Sequence, residues 1–344
     1  MPILILTVSQ LRLNPLTGRW VTIVAERARR PSDFAPRSPE IEADPGRPCP
    51  FCPGHEEDTP PALESYGRDG HWLVRVVPNR YPAFEGQGAF EVEQVGPVFQ
   101  QAPGTGIHEV LIFTPDHDAS WADLDDREAG LALAAIRDRL EEHAEHGSIR
   151  YTQTIVNHGR EAGASLEHPH GQLLGIPFVP EELQAELDTF AAAEALGGPE
   201  PCVLCATLDA EIDAGLRVIH ADDRVVVVCP FWSATPYEML VIPRHHEPHL
   251  ADAAPPDLVS VGRALRDVLA SLVGLLGDGA YNVVFHTAPH NSDEPFHWHV
   301  HVLPRLTSVA GFEAGTGVLI NIVAPEQAAE DLRDAQDLLT ERPA

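Results

Sequence analysis

The sequence predicts an α+β fold built by duplicating one αβ unit. Three observations carry that prediction. Helical stretches alternate with short apolar runs. The order of these elements in the first half recurs in the second. A Cys-x-x-Cys pair followed by spaced histidines occurs once in each half.

In WADLDDREAGLALAAIRDRLEEH (121–143), Leu133, Ile136 and Leu140 fall three and four apart, the spacing that lines one face of a helix. Leu258, Val261, Leu265, Val268, Leu269 and Leu272 repeat that spacing in the second half. The runs EVLIFTP, YTQTIV, DRVVVV, EMLVIP and YNVVF are short, apolar and punctuated by Pro and Gly, so they read as strands. A further helical pattern, EELQAELDTFAAAEA, runs into GGPEP at 197–201. That stretch marks the boundary between an N-terminal half, 1–195, and a C-terminal half, 196–344. MPILILTVSQ at the start reads as a strand or a frayed terminus. It has no basic n-region and no small-residue cleavage site, so it is not read as a signal peptide.

The two halves overlay without a gap where EVLIFTPDHDASWADL (109–124) meets EMLVIPRHHEPHLADA (238–253). His117 precedes His168 by 51 positions, and His246 precedes His297 by 51 positions. The overlay maps HPHGQ onto HWHVH: His168 onto His297, His170 onto His299 and Gln172 onto His301. The two units are expected to pack side by side.

These spacings nominate chemistry. A closed structural zinc site takes four nitrogen or sulfur ligands in a tetrahedron. Cys49, Cys52, His117 and His168 form one such set, and Cys202, Cys205, His246 and His297 a second. His55, His245, His249 and His290 lack the support of the repeat and read as solvated loop residues. In SLEHPHGQLLGIP (165–177) the alternation of a strand sends His168, His170 and Gln172 to one face. If His168 holds a metal, His170 remains as a rigid imidazole able to attack phosphorus. Gly171 admits close backbone approach, and Gln172 can donate to a phosphoryl oxygen.

Composition sets the outer limits. A chain of 344 residues has room for two ordinary domains, and an apolar content of 44% is that of a globular core. The net charge of −29 argues against nonspecific binding to nucleic acid or an anionic membrane. No apolar run reaches transmembrane length. Of five cysteines, four lie in the two Cys-x-x-Cys pairs, while Cys229 stands alone in VVVVCP. Without a secretory signal, paired cysteines among many histidines favour metal over disulfide, and a cytoplasmic protein.

Several segments together are specific: NPLTGRWVTIVAERARRP (14–31), CPFC (49–52), VPNRYPAF (77–84), TPDH (114–117), NHGREAGASLEHPHGQ (157–172) and PFWSATPYEMLVIPRHH (230–246). Across nearly the whole chain the sequence resembles the galactose-1-phosphate uridylyltransferase family, a branch of the histidine-triad superfamily. The resemblance implies two tandem histidine-triad-like units, with antiparallel sheets and helices packed on them. It implies that His170 is the nucleophile, taking a nucleotidyl group from UDP-glucose and passing it to galactose 1-phosphate, with Gln172 on the phosphoryl group. It implies zinc on Cys49, Cys52, His117 and His168, and nucleotide contacts from Arg27, Arg30, Asn79, Asn157, Gly163 and Ser165.

For the second metal, zinc or iron, the resemblance implies one of two sets. Some relatives would use Glu186, His286, His299 and His301. Others, including the ADP-glucose phosphorylase branch, would use Cys202, Cys205, His246 and His297. The segment GFEAGTGVLIN (311–321) begins like the family's hexose-binding segment, implying a sugar contact for Glu313, and continues more like the phosphorylase branch. A homodimer acting on a nucleotide sugar and a hexose 1-phosphate is implied. The competing expectations are an ADP-sugar or dinucleotide phosphorylase, and a zinc-stabilised nucleotide-binding protein without turnover.

Overall fold

The computed structural model describes residues 9–24, 48–198 and 200–340. Arg27 and Arg30 lie outside the described residues. In chain order the strands and helices are β1 (Gln10–Leu13), β2 (Trp20–Ile23), β3 (Glu64–Arg68), β4 (His71–Pro78), β5 (Glu93–Val95), β6 (Phe99–Gln101), β7 (Ile107–Ile112), α1 (Asp126–Glu145), β8 (Tyr151–His158), β9 (His170–Ile176), α2 (Glu181–Leu196), α3 (Val203–Ala214), β10 (Val218–Ala221), β11 (Val225–Val228), β12 (Met239–Pro243), α4 (Pro255–Leu276), β13 (Tyr281–His286), β14 (His299–Pro304), α5 (Gly311–Thr316), β15 (Ile320–Asn321) and α6 (Pro325–Thr340).

Local chemistry sets the helix ends. Asp125 and Glu128 form a reciprocal capping box that starts α1, each side chain accepting from the other's backbone N–H at 2.7 and 2.9 Å. Prolines, which need no N–H there, open α4. Gly197, left-handed at φ 60°, stops α2 within the predicted boundary segment.

Ten strands form one sheet in the order β10-β11-β12-β14-β13-β8-β9-β7-β4-β3, with every pairing antiparallel. The halves join edge to edge where β8 pairs with β13. The sheet is therefore continuous, as antiparallel strands with helices packed on them. One cross-strand row runs Val77, Val110, Gln172, Ile155, Val284, His301, Leu240. Residues directly opposite share a face, so Gln172 and His301 look the same way, roughly 14 Å apart at three strand spacings.

The other face of the sheet carries the main core. Leu111, Val156, Leu173, Val283 and Val300 pack there against Leu133, Ile136, Leu258 and Leu265 of α1 and α4, and against Leu332 of α6. On the first face, α2 and α3 cover the second half, setting Leu187, Phe190 and Leu208 on Val226, Val228, Leu240 and Ile242. Of the first half, this cluster takes in Tyr151 of β8 and Ile176 of β9.

Helices α1 and α4 touch through glycine. A Cβ on Gly262 would stand 2.8 Å from the Ala129 carbonyl oxygen, a backbone atom that cannot swing aside. Gly262→Ala is expected to cost about 1–3 kcal/mol, the usual range for overpacking. Gly274→Ala, in the same helix with only Leu339 side-chain atoms 3.8–3.9 Å away, is expected to be neutral or to stabilise by up to about 1 kcal/mol through helix propensity. Urea midpoints at constant m would measure both. Equal effects would mean that the close approach is relaxed in solution.

Two sequence expectations change. In the gap-free overlay Val241 is the counterpart of Ile112. Ile112 faces His170, yet Val241 faces Val300 and not His299. A one-residue slip of this kind reverses which side chains meet the helices. His290 is not a solvated loop residue. It is buried, with Nε2 2.8 Å from Thr152 Oγ1, which is in turn 2.9 Å from His143 Nδ1. Cys229 is fully buried.

Candidate active site

The turn carrying Cys49 and Cys52, the loop after β7 and the residues entering β9 meet at one point. The ligand atoms of Cys49, Cys52, His117 and His168 lie within 4.8 Å of one another. Cys52 Sγ is 3.4 Å from His117 Nδ1 and 3.6 Å from His168 Nδ1. Bonds of about 2.3 Å to sulfur and about 2.0 Å to nitrogen in a tetrahedron would set S and N about 3.5 Å apart, so the set fits zinc. His168 Nε2 donates to the Thr114 carbonyl at 2.9 Å, which leaves Nδ1 free to be a ligand. Burial and the neighbouring Cys49 sulfur push the Cys52 thiol up to about 11. A cation between the two sulfurs would remove that penalty.

The second half repeats the arrangement. Cys205 Sγ is 3.6 Å from His246 Nδ1 and 3.5 Å from His297 Nδ1, and His297 Nε2 donates to the Pro243 carbonyl. A hydrogen bond between the two sulfurs holds the Cys202 thiol below the usual range and pushes that of Cys205 above it.

The set written as its alternative also assembles, at a separate place. Glu186 of α2 lies 3.0 Å from His286 Nδ1 and 3.8 Å from His299 Nε2, and His299 Nε2 is 3.1 Å from His301 Nε2. Burial lowers the charge on His286, but the Glu186 carboxylate outweighs it and holds His286 above the usual histidine range. Both candidate sets therefore come together in the structure. The four-ligand groups stand side by side, because α2 brings Glu186 over the strands while α3 carries the cysteines.

His168 does not lie in the strand with His170. The ladder starts at His170, since Pro169 has no N–H to give. The His170 ring Nδ1 donates to the His168 carbonyl at 2.8 Å, leaving Nε2 as the lone-pair nitrogen. Burial holds the ring below the usual histidine range, so it is neutral near pH 7. Phe51, from CPFC, sets its ring 5.4 Å from His170 and 6.0 Å from His168, edge-on to both.

Two cavities meet at His170. The larger, about 730 Å³, is lined by Phe51, Val77, Asn79, Val110, Ser165 and Gln172. The smaller, about 250 Å³, is lined by Asn157, His158, Arg160, Asp278 and Tyr281. His117, Leu166 and Glu167 border both. Of the predicted contacts, Asn79, Ser165 and Gln172 are thus gathered on one side of His170 and Asn157 on the other. Gly163 closes the loop between them at φ 91°, with Asn157 Nδ2 3.7 Å from where a Cβ would be. Glu313 lines neither cavity. Its carboxylate caps its own helix, α5, accepting from Ala310 N–H at 3.1 Å.

The sequence reading passed over His158, Asp278 and Phe51. His158 Nε2 is 2.7 Å from Asp278 Oδ1, and the imidazole stacks on Tyr281 at 4.6 Å. Asp278 lies 120 positions away in a loop, and no spacing rule links it to His158.

The His299 imidazole copies the His170 geometry, with Nδ1 donating to the carbonyl of His297 at 2.8 Å. It is fully buried. Of the two imidazoles, His170 lines the cavities described above.

A neutral, oriented imidazole at the junction of two cavities, with an amide two residues on, defines a protein equipped for group transfer at phosphorus. The profile described as "Galactose-1-phosphate uridyl transferase, N-terminal domain" matches residues 3–180, and that of the C-terminal domain matches residues 200–342. An ADP-glucose phosphorylase of Arabidopsis thaliana is 35% identical over 334 residues, covering 94% of this chain and 92% of the relative. A galactose-1-phosphate uridylyltransferase of Thermotoga maritima is 28% identical over 338 residues, covering 95% and 98%. The crystal structure of an Arabidopsis thaliana ADP-glucose phosphorylase with bound ADP-glucose superposes with a TM-score of 0.79 at 31% identity, over 95% of this chain and 99% of that one. The chain belongs to the galactose-1-phosphate uridyl transferase family and is a nucleotidyltransferase of that family.

Proposed function

We propose that the protein moves a uridylyl group from UDP-glucose to a hexose 1-phosphate, galactose 1-phosphate first, in two half-reactions through His170. The observation that carries this is the buried His170, which lines both cavities and has its Nδ1 bonded to the His168 carbonyl. In the first half-reaction the Nε2 lone pair attacks the α-phosphorus. The N–P bond forms, the P–O bond to the sugar phosphate breaks, and hexose 1-phosphate leaves with the electron pair. The positive charge that develops on the ring is met by the His168 carbonyl at Nδ1–H. In the second, a phosphate oxygen of the acceptor attacks the same phosphorus and the N–P bond breaks. The larger cavity would take the nucleoside and the smaller one the sugar phosphate. Arg27, Arg30, Asn79, Asn157, Gly163 and Ser165 are assigned to the substrate, and Gln172 to a phosphoryl oxygen.

Zinc is assigned to the two cysteine-bearing sets, where its bound form would order the strand entering the site. The Glu186 set, with no sulfur, suits a harder metal such as iron. A homodimer fits the apolar surface of Leu11, Trp20, Val98 and Phe99, each at least half exposed. A cytoplasmic location fits five free cysteines. No helix among the described residues is long and apolar enough to cross a membrane.

A second reading, an ADP-sugar phosphorylase, is favoured by the 35% identity to a relative of that name. One experiment separates them. The protein is mixed with UDP-glucose or ADP-glucose labelled at the α-phosphate, denatured, and counted. Label from UDP-glucose that chases onto galactose 1-phosphate supports the first reading. Label from ADP-glucose that chases onto inorganic phosphate supports the second. No label from either leaves a binding protein.

A further inference from the structure

A side-chain amide is useful in a site only if its oxygen and nitrogen ends are distinguished, and nothing in its shape distinguishes them. Gln172 has that problem, and the structure holds an answer in a residue that neither the repeat nor the family motif singles out. His108 on β7 lies on the same sheet face as Gln172, two residue pairs along the ladder from Val110–Gln172. Its Nδ1 accepts from the Ala83 N–H at 3.0 Å. A backbone N–H has no lone pair, so Nδ1 carries no proton and the neutral ring must carry it on Nε2.

That Nε2–H has two neighbours. Asn79 Nδ2, at 3.1 Å, is a donor and cannot accept, and its Oδ1 is already taken by Tyr81 N–H at 2.8 Å. Gln172 Oε1, at 2.8 Å, is the acceptor that remains. With Oε1 held, the Gln172 NH2 group is the end left for the cavity shared with His170. Among the described residues it has no hydrogen-bond partner.

We infer that His108 is a positioning residue: a backbone-locked tautomer that fixes the Gln172 amide so that its N–H, and not its oxygen, meets the phosphoryl group in transit. The same residue ties the Asn79–Ala83 loop of the nucleoside cavity to the strand beside β9, its ring accepting from Ala83 N–H and its carbonyl from Asn79 N–H at 2.8 Å. A loop closed on nucleoside and an amide aimed at phosphate are thus set by one ring. The inference rests on the covalent reading of His170.

The test uses the full chain and the single-turnover rate of labelling from nucleotide sugar carrying label at the α-phosphate. His108→Phe keeps the shape and loses both polar contacts. It is expected to slow labelling by about 10- to 100-fold, the scale of a misplaced group, with KM for the nucleotide sugar moving far less. His108→Gln puts an N–H near the position of Nε2 and should restore most of the rate. His108→Asn puts an oxygen near the position of Nδ1 but cannot reach Gln172, and should stay slow. In a Gln172→Ala background, His108→Phe should add no further loss, because the group it acts through is gone.

Losses that multiply in the double variant, or a fast His108→Asn beside a slow His108→Gln, overturn the inference while leaving the transferase reading intact. A wild type that takes no label overturns both. If His108→Phe does not fold, the Gln and Asn variants decide the matter alone.

Discussion

His170→Gly is expected to lower nucleotidyl transfer by at least about 10⁴-fold, the scale on which a lost nucleophile registers. Its fold and metal content should be those of the wild type, because His170 is not one of the four residues of the cysteine set and its Nδ1 is bonded to the His168 carbonyl. The gap left by the imidazole lies at the junction of both cavities, so added imidazole should restore part of the rate by attacking phosphorus in its place. Wild-type protein should accumulate a nucleotidyl-histidine without acceptor, labile to acid and stable to base, as a phosphoramidate is. Substantial turnover by His170→Gly would place the nucleophile elsewhere and remove the proposed mechanism.

Cys49→Ser is expected to remove about one zinc per chain and to lower thermal stability sharply. Metal binding energy in a four-ligand site is folding energy, roughly 10–16 kcal/mol for zinc in small domains. Losing about 5 kcal/mol of it, at about 2–4 °C per kcal/mol, would move the midpoint by roughly 10–20 °C. His168→Asn should do the same, and should lose activity only because the residues entering β9 are no longer held. It sits two residues from His170, so the pair of variants separates holding from reacting. Elemental analysis and a melting curve measure both. Unchanged zinc in Cys49→Ser would end the assignment of that set.

Much of this was legible before any coordinates. The apolar spacing of α1 and α4 is written in Leu133, Ile136, Leu258 and Leu265, because a helix that covers a sheet must present one apolar face. The cysteine-bearing sets follow from spacing alone, since a tetrahedral site draws its ligands from a tight turn and from the edges of neighbouring strands. His170 and Gln172 follow from strand alternation. Glu313 did not follow. A motif beginning Gly-Phe-Glu says nothing of whether its carboxylate points to a ligand or back to its own backbone, and here it caps α5. Nor could the two ligand sets in the second half be separated on paper, because both draw on histidines around β14.

By itself the sequence determined the αβ repeat, the zinc-like spacings, and one oriented histidine per half. Each of these depends on the order of residues within one turn or strand, or on a repeat that copies it. Tertiary structure alone decided which of the two histidines meets a cavity. His170 and His299 share one local geometry, each bonded to the carbonyl two residues before it. Helices α2 and α3 lie over the second half of the sheet and seal His299 against Glu186, while the same face of the first half, at Val77, Val110 and Gln172, lines the larger cavity. Tertiary structure also decided which way the Gln172 amide points, through a ring on β7 and a backbone N–H at Ala83. Contacts between residues 64 and 25 positions apart leave no periodic trace in a chain, and only the packed sheet brings them within reach.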